Sequence, residues 1–356
     1  MNALDDIKKI KELDKSGVRL SIEALPLQIQ QAWNEVKNLP VPAYCSIAKN
    51  VIVSGMGGSA LGGRIIDSLI LDRVRTPIEV STDFKLPNYA NSETLVILSS
   101  YSGNTEETLS SALDAQKKNC QIFGIATGGK LAEFLNQNKY PGYIFKPSNN
   151  PSNQPRMSLG YSVSAILSVL SMCGFVDISD EEISGVCDYL KKGTSELDPS
   201  VPESNNIAKT IATKLYKKIP VIVASEHLLG SAHAFKNQLN ENAKTFSTLF
   251  DLPELNHHLM EGLRFPAFNT ELLHFLFFES SLYNEAIKKR YPLTEEVVSK
   301  NFVAYDIYSC HSDTKLKQIF EVLLAGSYIG FYLAMLYGID PAPIPWVDYF
   351  KEKLSK

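Results

Sequence analysis

The chain has only five cysteines among 356 residues, and no two are spaced C-x-x-C. Cys45, Cys120, Cys173, Cys187 and Cys310 are scattered and odd in number, which argues against a disulfide framework and for reduced thiols. An excess of charge of one sign is also missing. Lys and Arg total 35 against 39 Asp and Glu, a formal net charge of −4, unlike the clustered basic excess of a broad nucleic-acid surface. The opening segment, MNALDDIKKIKELDKSG, is charged and helical in pattern and lacks the apolar run of a secretory signal, so a cytoplasmic protein is expected. One uncharged stretch, 322–339, has membrane-spanning length. It contains Gly326, Ser327, Gly330 and three tyrosines, and is expected to be a helix packed on both sides.

What is present is the pattern of an α/β protein. With 44% hydrophobic and 21% charged residues, the chain can bury the cores of two ordinary domains. Short β-branched runs alternate with helical patterns: VIVSG (51–55), PIEVST (77–82), TLVILSS (94–100), QIFGIAT (121–127) and YIFK (143–146). A second series follows at 219–225, 245–250, 272–278 and 302–308. This alternation predicts two doubly wound domains, each a mainly parallel sheet flanked by helices. The Pro-, Asn- and Ser-rich stretch KPSNNPSNQPR (146–156) reads as the connection, giving domains at 1–152 and 153–356.

Two strand-to-helix turns carry chemistry. GMGGSALGG (55–63) offers close backbone approach and the N–H groups of a helix N-terminus. Gly55, Gly57 and Ala60 also satisfy the permissive G-x-G-x-x-A form, with Asp83 beyond the next strand, so a dinucleotide fold stays open on this turn alone. The second turn, LSSYSGNTEET (98–108), presents Ser99, Ser100, Ser102 and Thr105 within seven residues, which suits the acceptor oxygens of a phosphate monoester. Asn104 followed by Glu107 has the spacing of a capping box.

Together these turns resemble the sugar isomerase (SIS) domain superfamily, and more narrowly the bifunctional phosphoglucose/phosphomannose isomerase family. PRMSLGYS (155–162), QLNENAK (238–244), PELNHH (253–258) and DPAPIPWVDYFKEKL (340–354) support the narrower resemblance. It implies two SIS-type domains and aldose–ketose isomerisation of hexose 6-phosphates by a metal-independent cis-enediol route. Gly57, Gly58, Ser59, Ser100, Ser102 and Thr105 would surround the substrate, with the hydroxyls on its phosphate. Arg156 would stabilise the enediolate, and Glu241 would be the base. His257 would open the ring, a task suited to an imidazole, with Lys351 beside the ring oxygen. His258 is the neighbouring alternative to His257; adjacent histidines are poorly placed to share a metal, and no H-E-x-x-H supports one. His227, His233, His274 and His311 are expected to be structural. The resemblance also implies a homodimer with His257 donated across the interface, no cofactor, and no nucleic-acid or membrane partner.

Three other readings compete. A non-catalytic SIS sensor of sugar phosphates would need neither Glu241 nor His257, and usually carries a DNA-binding helix pair. The isomerase half of a glucosamine-6-phosphate synthase follows a glutaminase domain with cysteine after the initiator Met, whereas this chain reads MNALDD. A Rossmann dehydrogenase would bind nicotinamide at the first turn.

Overall fold

The computed structural model describes residues 4–40, 42–70, 74 and 76–354. The ends of the opening and closing helical patterns, residues 1–3 and 355, lie outside them. The described chain falls into two compact units, residues 23–191 and residues 1–22 with 192–356.

In the first unit the five β-branched runs form β1 (Asn50–Ser54), β2 (Ile78–Ser81), β3 (Thr94–Ser100), β4 (Gln121–Ala126) and β5 (Gly142–Ile144). All neighbours are parallel, in the order β2-β1-β3-β4-β5. Every residue of β3 is buried, as expected of a central parallel strand covered on both faces. Ile52, Val96, Leu98 and Ile122 pack with Ala112, Leu131 and Leu135, from helices Glu106–Lys117 and Gly129–Asn138, in one apolar cluster.

The second unit contains β6 (Ile219–Ala224), β7 (Thr248–Asp251), β8 (Leu273–Glu279) and β9 (Ala304–Ser309), parallel in the order β7-β6-β8-β9. β7 starts later than the apolar run at 245 indicates. Ser247 is tied by its N–H to Asn240 (3.1 Å) and by its hydroxyl to the Lys236 carbonyl (3.1 Å), which holds it to the preceding helix. The uncharged stretch lies in helix Lys315–Leu336, the one helix among the described residues long and apolar enough to span a membrane. Of its apolar window, 94% is buried inside the protein, which is how a core helix of a large domain satisfies an apolar circumference.

The units are not divided at 152/153. The segment 146–156 belongs to the first unit because two glutamines of helix Leu25–Lys37 satisfy its backbone. Gln28 Nε2 donates to the Asn149 and Met157 carbonyls (2.9 Å each), and Gln31 Nε2 to that of Lys146 (3.0 Å). Helix Leu159–Met172 stays with it, and the division falls inside helix Asp180–Leu197. The N-terminal segment belongs with the second sheet. Lys209, fully buried in helix Ile207–Leu215, donates to Asp5 Oδ1 (2.9 Å) and to the carbonyls of Pro199 (2.9 Å) and Val201 (2.8 Å). The Asp5 carboxyl is held below its usual pKa chiefly by that hydrogen bond.

Removing the ammonium leaves the Pro199 and Val201 carbonyls without this donor, and Asp5 without its counter-ion. Lys209→Met is therefore expected to lower unfolding free energy by about 3 kcal/mol and to speed proteolysis within the first 20 or so residues. Denaturant melts with limited proteolysis check it, and an unchanged midpoint would show that this ion cluster holds nothing.

Candidate active site

The carboxyl ends of β1 and β3 are adjacent, since Ser54 pairs in register with Leu98. The chain moves to opposite sides of β1 in forming β2 and β3, so a crevice opens there, the usual ligand position in an open α/β sheet. After β1 the chain passes through Gly57, in left-handed backbone (φ +50°), and enters helix Gly58–Ile70. Among the described residues the N–H groups of Gly57 and Gly58 make no backbone hydrogen bond, so this N-terminus is open to an anion.

The hydroxyl turn closes the other side. Ser59 Oγ accepts from the Tyr101 N–H (3.0 Å), locking the two turns together. Ser100 and Thr105 hydroxyls are hydrogen-bonded at 2.9 Å, and Ser102 Oγ accepts from the Asn104 N–H (3.3 Å). Ser59 and Ser100 are buried while Ser102 is exposed, so the turn grades from a fixed floor to an open rim. No capping box forms. The helix starts at Glu106 with Thr105 as its N-cap, and Asn104 Oδ1 instead accepts from the Lys130 N–H (3.1 Å). The Thr105 side chain does not cap its own helix, which leaves its hydroxyl with Ser100 at the crevice.

Arg156 belongs to the same unit. It lies in the 3-10 turn Pro155–Met157, only 2% exposed, with Nη1 donating to Gln154 Oε1 (2.7 Å). That turn rests on residue 58, where a Cβ would stand 3.0 Å from the Pro155 carbonyl oxygen and 3.2 Å from the Arg156 nitrogen. Asn150 Nδ2 donates to the Gln154 carbonyl and to the Tyr101 hydroxyl (3.0 Å each), joining the Arg156 segment to the hydroxyl turn. Sequence reasoning missed Gln154, Asn150 and Tyr101. The one available signal was the adjacency of Gln154 to Pro155 and Arg156.

The remaining candidates lie on three elements of the second unit. Glu241 is the half-buried last residue of helix Leu229–Glu241. His257 is exposed in the short helix Leu255–His258, and the His258 ring turns to Phe250, centroids 5.8 Å apart. Lys351 is exposed on helix Pro345–Leu354. Lys244 links two of these segments. Its Nζ donates to the carbonyls of Asn242 (3.2 Å), Asp340 and Pro341 (3.1 Å each), tying the chain after Glu241 to the chain that leads into the last helix. Two histidines set aside as structural are held in the interior: His227 Nε2 bonds Gln318 (2.8 Å), and His274 Nε2 bonds Asp306 (2.8 Å). Burial pushes the His274 pKa below its ordinary value against the pull of Asp306.

Known proteins resemble this chain along most of its length. A bifunctional phosphoglucose/phosphomannose isomerase from Caldicellulosiruptor bescii is 35% identical over 94% of this chain and 98% of its own. One from Thermoplasma acidophilum is 31% identical over 86% of this chain and 90% of its own. The chain belongs to the bifunctional phosphoglucose/phosphomannose isomerase family. Residues 204–354 match the family described as the bacterial phospho-glucose isomerase C-terminal SIS domain. A hypothetical protein from Thermus thermophilus shares the fold, with a TM-score of 0.77 at 14% identity over 98% of this chain and 92% of that one. The chain is thus a sugar-phosphate isomerase of SIS architecture, and its glycine-rich turn is not that of a dehydrogenase.

The contact at residue 58 is testable. Gly58→Ala pushes a Cβ against backbone, not against a movable side chain, and should cost about 1–3 kcal/mol as the 155–156 turn shifts. Chemical denaturation measures it, and wild-type stability would mean that the turn yields freely.

Proposed function

We propose that this protein interconverts glucose 6-phosphate and mannose 6-phosphate with fructose 6-phosphate through a cis-enediol, without a metal or other cofactor, as a cytoplasmic homodimer. The observation that carries the reading is the meeting, within one unit, of the glycine turn, the hydroxyl turn and a buried arginine. Family membership supports the rest.

In this mechanism the phosphate is bound by the turn of Gly57, Gly58 and Ser59 and by the hydroxyls of Ser100, Ser102 and Thr105. His257 passes a proton to the ring oxygen and accepts one from O1, with Lys351 stabilising charge at the ring oxygen, and the open-chain aldose results. Glu241 takes the proton from C2 as electron density moves onto the carbonyl oxygen. Arg156, a permanently charged planar donor, stabilises the developing enediolate, and its bond to Gln154 holds the guanidinium in place. A proton passes from O2 to O1, and return of the proton to C1 yields the ketose with its carbonyl at C2. The enediol has no stereochemistry at C2, so either epimer can enter if rotation about C2–C3 is tolerated. In the dimer, His257 serves the site of the other subunit.

Pure protein in excess EDTA should convert both glucose 6-phosphate and mannose 6-phosphate to fructose 6-phosphate. Complete loss restored by a divalent ion would overturn metal independence, and turnover of glucose 6-phosphate alone would make the enzyme monofunctional.

Glu241→Gln should lower kcat by about 10²–10⁴ with KM little changed. His257→Ala should be comparably poor, yet co-expression of the two chains should restore roughly a quarter of wild-type activity. Random pairing makes about half the dimers mixed, and each mixed dimer keeps one intact site under two-fold symmetry. Absence of recovery after demonstrated subunit exchange would place both residues on the same site of one chain.

A further inference from the structure

Tyr101 joins the hydroxyl turn to the segment that carries Arg156. Its backbone is fixed on both sides: the N–H donates to Ser59 Oγ (3.0 Å), and the carbonyl accepts from the Thr127 N–H (3.0 Å) and hydroxyl (2.7 Å). The side chain therefore leaves the turn from a fixed base. Its ring packs edge-on against Phe145, centroids 6.3 Å apart, and Phe145 stacks in turn on Tyr161 (4.8 Å). Burial holds the phenol above its ordinary pKa, so the hydroxyl keeps its proton. The hydroxyl donates to Asn153 Oδ1 (3.3 Å) and accepts from Asn150 Nδ2 (3.0 Å).

Asn150, only 4% exposed, is where the bonds converge. Its amide nitrogen donates to the Tyr101 hydroxyl and to the Gln154 carbonyl (3.0 Å each), while Oδ1 accepts from Ser152 Oγ (2.9 Å). Exchanging the amide nitrogen and oxygen would set two acceptors against each other at Gln154, so the partners themselves fix the orientation. The backbone closes around this amide. The Asn150 carbonyl accepts from the Asn153 N–H (2.9 Å), with Asn153 in left-handed backbone (φ +52°), which asparagine tolerates.

The Gln154 carbonyl takes a second bond from the Met157 N–H (2.9 Å), across the turn that contains Arg156. The Gln154 side chain accepts from the guanidinium (2.7 Å). Hydrogen bonds thus run from Tyr101 to Asn150, from Asn150 to Gln154, and from Gln154 to Arg156. Asn150 and Arg156 are both buried, and a buried polar network resists displacement because every broken bond leaves a group unsatisfied.

We propose, on the reading that Arg156 stabilises the enediolate, that Asn150 is a positioning residue for the isomerase. It makes the placement of Arg156 depend on the turn that binds the phosphate. An enediolate is stabilised by a donor already aimed at the developing charge, and a misplacement of about 1 Å can cost about 10²-fold in rate. Slack in the arginine lowers that stabilisation while the phosphate contacts stay as they were. Asn150 touches no reacting atom; its effect reaches the substrate through Arg156.

Glucose 6-phosphate kinetics on the full chain, in a double-mutant cycle with Arg156, test this. Asn150→Ala should lower kcat by about 10–100-fold, the loss of two or three hydrogen bonds, with KM within about twofold of wild type. Inorganic phosphate should bind this variant unchanged. Arabinonate 5-phosphate, whose carboxylate imitates the enediolate, should bind it about tenfold more weakly. Tyr101→Phe removes one oxygen and keeps the ring packing; it should lower kcat about 3–10-fold and serves if Asn150→Ala melts early. In an Arg156→Ala chain neither substitution should lower kcat further by more than about twofold, because the group through which both act is gone. A merely structural residue would lower kcat equally in both backgrounds, and that result would overturn the proposal. So would wild-type kcat in both variants, or a loss confined to KM and phosphate binding. A wild-type chain that does not isomerise glucose 6-phosphate, or undiminished kcat in Arg156→Ala, would overturn the mechanism itself and the role of Asn150 with it.

Discussion

The backbone of Pro155 and Arg156 lies against the first turn of helix Gly58–Ile70, and it does so because residue 58 has no side chain. Several other features depend on that contact. It sets the backbone of a buried arginine against the helix N-terminus that opens beside the hydroxyl turn. Taking a permanent charge out of water is costly unless hydrogen bonds replace hydration, and the amide of Gln154 supplies one without bringing an opposing charge. Asn150 then couples the same segment to Tyr101, so the arginine and the hydroxyl turn form one connected structure. A substitution at Gly58 would reach all of them.

The two sheets show how one topology supports different chemistry. A parallel strand covered by helices on both faces leaves only its ends free, so function collects at the carboxyl-end loops. The loops after β1 and β3 carry glycines and hydroxyls, which favour an anion. The loops after β6 and β8 carry Glu226 and Glu279, which oppose one. In the proposed mechanism the second unit contributes through other elements, the C-terminal end of a helix at Glu241 and the short helix bearing His257.

Much of this architecture was legible in the residues. Nine β-branched or aromatic runs became nine parallel strands among the described residues; the inner ones, β1, β3, β4, β6 and β8, are the most buried, which is why they read as continuously apolar. The uncharged stretch at 322–339 was readable as a core helix because it carries glycine and tyrosine among its apolar residues and stands alone in a chain of ordinary composition. Local signals that depend on a distant partner were not legible. KPSNNPSNQPR has the composition of a linker, but Gln28 and Gln31 satisfy its backbone from more than 100 residues earlier. Asn104 and Glu107 have capping-box spacing, yet the Lys130 N–H competes for Asn104 and wins.

The same reasoning separates the parts of the site that a sequence can disclose. A strand-to-helix turn is short in sequence and compact in space, so Gly57, Gly58, Ser100, Ser102 and Thr105 could be grouped by adjacency alone. Arg156 could be named only through its resemblance to a known motif, because its backbone packs against a residue 98 positions earlier. Gln154 had no motif to mark it and became visible only through its 2.7 Å bond to that arginine.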